Sequence, residues 1–243
     1  MGLLRTDFHS HILPRIDDGA ANVEEALNLL KILKQDGVKR VVATPHLYLH
    51  RYTAEVFLEK RQAAAQMLAL ATVGEDYPEV IVGAEVFFSP ALSDMPLEEL
   101  CIAGTDFMLL ELPYSALSSD NLRSLINFLN SCNVKIILAH IERYYEWNKP
   151  AVIDEILSYG VLAQGNCDSV TSPKTRKSTL SLIESGRIQL LGTDLHGLEY
   201  RPPTFGEAQR IIEKKLSPEV FTKMMKAADM ALNNDSVDDI LSI

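Results

Sequence analysis

The sequence predicts an α/β fold on a parallel sheet, curled into a barrel one unit short of the eight-fold (β/α) type. Three observations predict it. The chain has 243 residues, a normal length for one α/β barrel, so a single domain over 1–243 is expected. Its apolar runs are rich in Val, Ile and Leu with little alternation, as strands buried on both faces require. Seven such runs are separated by stretches of helical periodicity, the pattern of strand–helix–strand crossovers. An open doubly wound sheet is the alternative.

The elements follow in order. "LLRTDFH" is a short strand. Asn22 with Glu25 forms a capping-box pattern that opens a helix running to Gly37. "VKRVVATPH" is the second strand, and 54–71 is a long helix. "EVIVGAE" and "TDFMLLELP" are strands three and four. A helix over 120–130 leads to "VKIILAH", and one over 151–159 leads to "VLAQGN". A helix over 178–185 precedes the seventh strand, "IQLLGTDLH", and two or three helices follow from Thr204.

Composition narrows the function. There are 23 Lys and Arg against 33 Asp and Glu, a net charge of −10. That disfavours a general nucleic-acid or anionic-membrane surface. It leaves room for a phosphorylated substrate, because bound cations supply positive charge locally. The three cysteines, Cys101, Cys132 and Cys167, are odd in number and unpatterned, as reduced thiols of a cytoplasmic protein are. The first residues lack a signal-peptide core, and no apolar run reaches membrane-spanning length.

The chemistry lies at the predicted strand ends. His9 and His11 close strand one, His46 strand two, Glu85 strand three, Glu111 strand four, His140 strand five, and Asp194 and His196 strand seven. Only His50 of the six histidines falls elsewhere. In a parallel barrel all these ends open on one rim. A single His or Glu after a strand is ordinarily a hydrogen-bonded loop residue. Five histidines and three acids at these points, and Asp18 in the first loop, are not explained that way. Glu111 follows a buried run, where an unpartnered carboxylate is costly. Imidazoles mixed with carboxylates suit Mn, Zn or Fe. Nine candidates are too many for one ion and fit two or three, an arrangement that clamps phosphate and activates water.

"DFHSH" with "DDG", then "TPH", "GAEV", "LELP", "AHIERY" and "GTDLHG…RPP", resemble in order the polymerase-and-histidinol-phosphatase (PHP) superfamily. Within it the chain is similar to the bacterial protein-tyrosine phosphatases of capsule and exopolysaccharide operons, of CpsB/CapC type. The resemblance implies a distorted (β/α)7 TIM-like barrel, the PHP fold. It implies three divalent metals, usually described as manganese, and hydrolysis of phosphotyrosine on a bacterial tyrosine autokinase that regulates polysaccharide synthesis and export. By position it puts His9, His11, Glu85 and Asp194 on a first metal. Glu85 bridges to a second with Glu111 and His140, and Asp18, His46 and His196 hold a third. Arg143 and Arg201 match the phosphate-binding arginines, a role that suits a guanidinium fork.

Three stretches depart from the family pattern. Arg15 stands where Gly is common, which is unfavourable if the turn needs positive φ; facing the site, it would touch substrate. "TPHLYLHRY" and "GNCDS" also differ, and these loops are expected to shape substrate choice. None of the three cysteines has Arg six residues on, so a cysteine-phosphatase loop is excluded and the thiols are expected to be buried and structural. Attack by metal-activated water without a phosphoenzyme is expected instead. The competing functions are a histidinol-phosphate phosphatase, a polymerase-linked exonuclease, which the net charge disfavours, and a metal-stabilised scaffold without activity.

Overall fold

Thr6–Ser10 forms the first strand, β1, and all five of its residues are buried, as a strand covered on both faces must be. The computed structural model describes residues 3–243, over which parallel strands and helices alternate. Helix α1 (Val23–Gln35) opens as expected, with the Asn22 side chain accepting from the Glu25 amide. The Glu25 carboxylate reciprocates one residue further out, on the Ala21 amide, at 2.9 Å.

The expected second and third strands are each two segments. β2 (Arg40–Ala43) and β3 (His46–Leu47) are separated by Thr44-Pro45, and β4 (Glu79–Val82) and β5 (Glu85–Phe87) by Gly83-Ala84. Proline has no amide to give the ladder, so the second strand breaks there. A Cβ at Gly83 would approach Ile102 Cγ1 to 3.1 Å, so the third strand bends where only Gly is easily fitted. His46 and Glu85 are therefore the first residues of new segments, a correction to the expectation that they end strands.

The remaining strands are β6 (Phe107–Glu111), β7 (Lys135–Leu138), β8 (Leu162–Asn166) and β9 (Leu190–Gly192). They form a parallel layer in the order β3-β5-β6-β7-β8-β9, beside a smaller one in the order β1-β2-β4. Past Gly192 the chain returns to β1: the Asp194 amide donates to His9 O at 2.8 Å, and the His11 amide to Leu195 O at 2.9 Å. The result is a curled parallel sheet.

Alternation along the strands sorts two cores. Val41, Met108, Leu110, Ile136 and Leu138 face outward, in one cluster with the helices. Leu29, Leu30 and Leu33 of α1 lie there, with Phe57 of α2 (Ala54–Thr72) and Phe128 of α3 (Ser119–Ser131). Phe8, Val42, Leu109, Ile137, Leu162 and Leu190 form a second cluster inside the curl. The chain continues through α4 (Pro150–Leu157), α5 (Cys167–Thr171), α6 (Arg176–Glu184) and α7 (Phe205–Lys215). Ala227, Ala228 and Ala231 of α8 (Pro218–Leu232) and Ile240 of α9 (Val237–Leu241) close the inner cluster from below. Above this floor the inner face turns polar. Along β6 it runs Phe107, Leu109, Glu111; along β8, Leu162, Gln164, Asn166. Among the described residues no helix is long and apolar enough to cross a membrane.

Two devices fix β1. Its register against β2 slips between Asp7 and Ser10, so three steps on β1 span two on β2. Such a bulge re-aims side chains. Here it lets Phe8 join the inner apolar cluster while His9 turns to Gln164. The buried Asp7 carboxylate clamps the strand to the far end of the chain, accepting from the Thr193 amide at 2.7 Å and the Thr193 hydroxyl at 2.5 Å. Asp7→Ala strands both donors in a dry setting. It should lower the unfolding free energy by about 2–4 kcal/mol in urea titrations of metal-free protein.

Candidate metal centre

His9 comes from β1, with His11 and Asp18 just after it; His46 and Glu85 open β3 and β5, and Glu111 ends β6. His140 lies two residues beyond β7, and Asp194 and His196 lie two and four beyond β9. The fold brings all nine together. Glu85, fully buried, stands at the middle. Its Oε1 is 2.8 Å from His140 Nε2, and its Oε2 is 3.3 Å from both His9 Nε2 and His11 Nε2 and 2.9 Å from His46 Nδ1. Asp194 Oδ1 closes one side, 3.6 Å from His9 Nε2 and 3.3 Å from His11 Nε2. Glu111 lies 3.8 Å from both His46 Nδ1 and His140 Nε2. Asp18, at the open mouth, is 3.7 Å from His46 Nε2 and 3.5 Å from His196 Nε2.

Three sets have donor atoms that all lie within 4.8 Å of one another: His9, His11, Glu85; His46, Glu85, Glu111; and His11, Asp18, His46, His196. They overlap the three expected ligand sets, with four differences. Asp194 is absent from the first set and His140 from the second, His46 belongs to two sets, and His11 joins Asp18 and His196.

The donor chemistry fits cations. His9 Nδ1 is held by Gln164 Oε1 at 2.9 Å, His11 Nδ1 by Asp17 Oδ2 at 2.7 Å, and His196 Nδ1 by Asp194 O at 2.8 Å. In each ring an oxygen fixes Nδ1 and leaves Nε2 free to ligate. Glu85 Oε2, both Glu111 oxygens, His46 Nδ1 and His140 Nδ1 are buried without a hydrogen bond. His46 Nδ1 and Glu85 Oε2 are close, yet their angles make no hydrogen bond. Buried unpartnered polar atoms are costly; those of His46, Glu85 and Glu111 lie together, as ligands of a common cation do.

The electrostatics agree. Burial pushes Glu85 up, but the charges of His9 and His46 and hydrogen bonds from His11 and His140 hold it well below the usual range. Burial and the Glu85 charge push Glu111 up to about 7. Burial lowers His9 and His11, but carboxylates override it: Glu85 first at His9 and Asp17 first at His11, with Asp194 acting on both. The carboxylates thus draw positive charge onto His9 and His11, while burial pushes His140 and His196 down to about 4; metal ions would displace the protons of the first pair.

Strain concentrates here. His140 (φ 31°), Asp194 (φ 51°), Arg201 (φ 50°) and Arg15 (φ 64°) are left-handed without being glycine, and among the described residues only Asn234, past α8, joins them. Each costs about 1–3 kcal/mol, which the surroundings must impose. The Arg15 turn does need positive φ, and its exposed Arg adopts it.

Both expected phosphate-binding arginines reach one atom. Arg143 Nη2 is 2.8 Å from Asp194 Oδ2, and Arg201 Nη1 is 3.3 Å from it. Asp194 thus faces the ligand set with one oxygen and the guanidiniums with the other. The thiols are unsuited to nucleophilic work. Burial pushes Cys101 up to about 12, Cys167 well above the usual range, and Cys132, which is only half-buried, upward too.

Sequence reading missed the residues behind the ligands. Asp17 accepts from the Gly19 and His46 amides as well as from His11 Nδ1. Burial pushes its carboxyl up, but the His11 charge and these hydrogen bonds bring it to about 2. Gln164 Oε1 accepts from the His140 amide and its Nε2 donates to Asn166, whose Nδ2 donates to Asp194 Oδ2. The polar pair in "AQGN", on one face of a buried strand, was the available signal. A Cβ on Gly192 would lie 2.6 Å from His9 Cβ and 2.9 Å from Gln164 Nε2, so this network needs that glycine. Asp17→Asn removes the charge that orients His11 and should weaken metal binding about 10–100-fold. Mn²⁺ titration calorimetry would measure this, with the circular dichroism unchanged.

A family model for capsular polysaccharide synthesis proteins, CpsB/CapC, matches residues 5–233. The tyrosine-protein phosphatase CpsB of Streptococcus agalactiae serotype III is 27% identical over 218 residues, covering 85% of this chain and 88% of that protein. The tyrosine-protein phosphatase YwqE of Bacillus subtilis is 24% identical over 238 residues, covering 95% and 92%. A chain from the crystal structures of YwqE from Bacillus subtilis and CpsB from Streptococcus pneumoniae, described as unique metal-dependent tyrosine phosphatases, superposes with a TM-score of 0.83. It is 22% identical and covers 95% of both chains, a likeness of fold. With nearly its whole length matched, the chain belongs to the CpsB/CapC family of capsular polysaccharide synthesis.

Proposed function

We propose that the chain is a metal-dependent protein-tyrosine phosphatase acting on a tyrosine-phosphorylated bacterial autokinase that controls capsular or exopolysaccharide synthesis. The names of its relatives support phosphotyrosine as substrate. One observation carries the reading on this chain: Arg143 and Arg201 meet at Asp194, on the edge of a cluster of nine metal-capable side chains. We read His9, His11, Asp18, His46, Glu85, Glu111, His140, Asp194 and His196 as ligands of three divalent ions, Mn²⁺ or otherwise Fe or Zn. The curled sheet is read as the (β/α)7 barrel of the PHP superfamily in one domain, and the protein as cytoplasmic.

When bound, the ions supply Lewis-acid clamping of the phosphoryl oxygens and an activated water. The chain supplies the rest. Arg143 and Arg201 pass from Asp194 to the phosphoryl oxygens that the ions leave free. Arg143 stays charged throughout: burial lowers its proton affinity, but Asp194 more than restores it. A fixed charge of this kind stabilises the growing negative charge of the transition state without reorganising. The raised thiols take no part.

Chelation should abolish hydrolysis of a phosphotyrosine peptide, Mn²⁺ should restore it, and a thiol alkylator should leave it intact. Faster turnover of histidinol phosphate than of the peptide would refute the substrate. Arg143→Ala and Arg201→Ala should each lower kcat/KM about 10²–10³-fold, with metal content unchanged by elemental analysis. Lys at either position should recover only part of the loss, because an ammonium lacks the planar fork.

A further inference from the structure

The exposed Tyr and Trp side chains among the described residues are Tyr52, Tyr114, Trp147 and Tyr200; the three tyrosines lie beside ligand candidates, and Trp147 packs on Tyr114. Exposed aromatics mark recognition surfaces. Two of them share a cleft of about 460 Å³ with both arginines. Tyr114 anchors one end, its hydroxyl 3.1 Å from Arg143 Nη1 and 3.2 Å from His140 Nε2. Its ring lies nearly parallel to His140, with centroids 5.7 Å apart. Trp147 meets Tyr114 edge-on at 5.7 Å. It follows the 3₁₀ turn Ile141–Glu146 that carries Arg143, so the phosphate-binding side chain and the indole are set by one backbone segment. The opposite wall is polar, with Asp168, Ser172 and Thr175. Tyr200 and Tyr52 lie differently: Tyr200 stands edge-on to His196, and Tyr52 lies in a separate cleft beneath Lys60.

Resting on the phosphatase reading, we propose that Tyr114 and Trp147 form the wall that receives the aryl ring of the substrate, making the site selective for aryl over alkyl phosphates. A phosphoryl group held by Arg143 and Arg201 at the base of this cleft puts its ester substituent against the two rings. An aromatic substituent gains face and edge contacts there, and an alkyl chain gains less. Trp147 is thus a specificity-determining residue that shares the cleft with both arginines.

Trp147 is the only tryptophan in the chain, so its fluorescence reports on the wall directly. The test uses the full chain loaded with Mn²⁺ and two non-hydrolysable probes, phenylphosphonate and methylphosphonate. Phenylphosphonate should bind about three- to tenfold more tightly by calorimetry, and should quench the tryptophan emission more at saturation. Trp147→Ala should bring the two dissociation constants together, and Trp147→Phe should restore most of the preference. Equal affinities in the unaltered protein, or a preference that survives Trp147→Ala, would overturn the wall. If phosphotyrosine is hydrolysed but the aryl preference is absent, the wall alone fails. If neither phosphonate binds and no phosphotyrosine is hydrolysed, the phosphatase reading fails with it.

Discussion

A fully buried carboxylate governs this molecule. Glu85 sits at the centre of the curl, facing four imidazoles from three different segments. A charge in such a place must be matched. With Glu111 and Asp194 beside it, the interior carries more negative charge than its histidines balance without taking up protons. The upper half of the curl is therefore arranged around carboxylates that cations would balance, and the lower half around apolar packing. The same strands do both, because every second residue faces inward and the change from Leu to Glu or Gln comes one step along.

Holding nine donors close to one another works against the backbone and against mutual repulsion, and the fold offsets this with a second ring of contacts. Asp17 ties His11 to the segment carrying His46. Gln164 ties His9 to His140, and Asn166 links that pair to Asp194. Left-handed conformations at His140, Asp194 and Arg201 are the visible cost of aiming three side chains from tight turns. Asp194 bears most of this organisation. It faces the candidate ligands with one oxygen and both guanidiniums with the other, so the two groups are tied together through one side chain.

The ligand candidates were legible because chemistry-bearing residues after apolar runs are rare, and a parallel sheet forces such residues to one rim. The helices were legible from period and caps: Asn22 and Glu25 act as their spacing implies. The strand breaks were only half legible. Pro45 signals the first by its missing amide, but the bend at Gly83 depends on Ile102, distant in sequence, and an apolar run otherwise reads the same whether continuous or split. Asp17 was hidden for a different reason. Adjacent aspartates have equal claims from sequence, and only the fold sends Asp17 to the back of His11 and Asp18 to the mouth. Arg143 and Arg201 could be named but their meeting point could not, since it lies on a third loop.

The clamp between Asp7 and Thr193 spans 186 positions, and the floor beneath the ligands is completed by α8 and α9 at the far end of the chain. This has a biosynthetic consequence. The first histidines leave the ribosome early and β2 soon offers β1 a partner, but they lack their neighbours past β9 and a floor until almost the whole chain has followed. Long-range closure of this kind is slow relative to local helix formation. Until then the candidate donors are not held to the neighbours the finished fold gives them, and the last two helices complete the floor that sets them side by side.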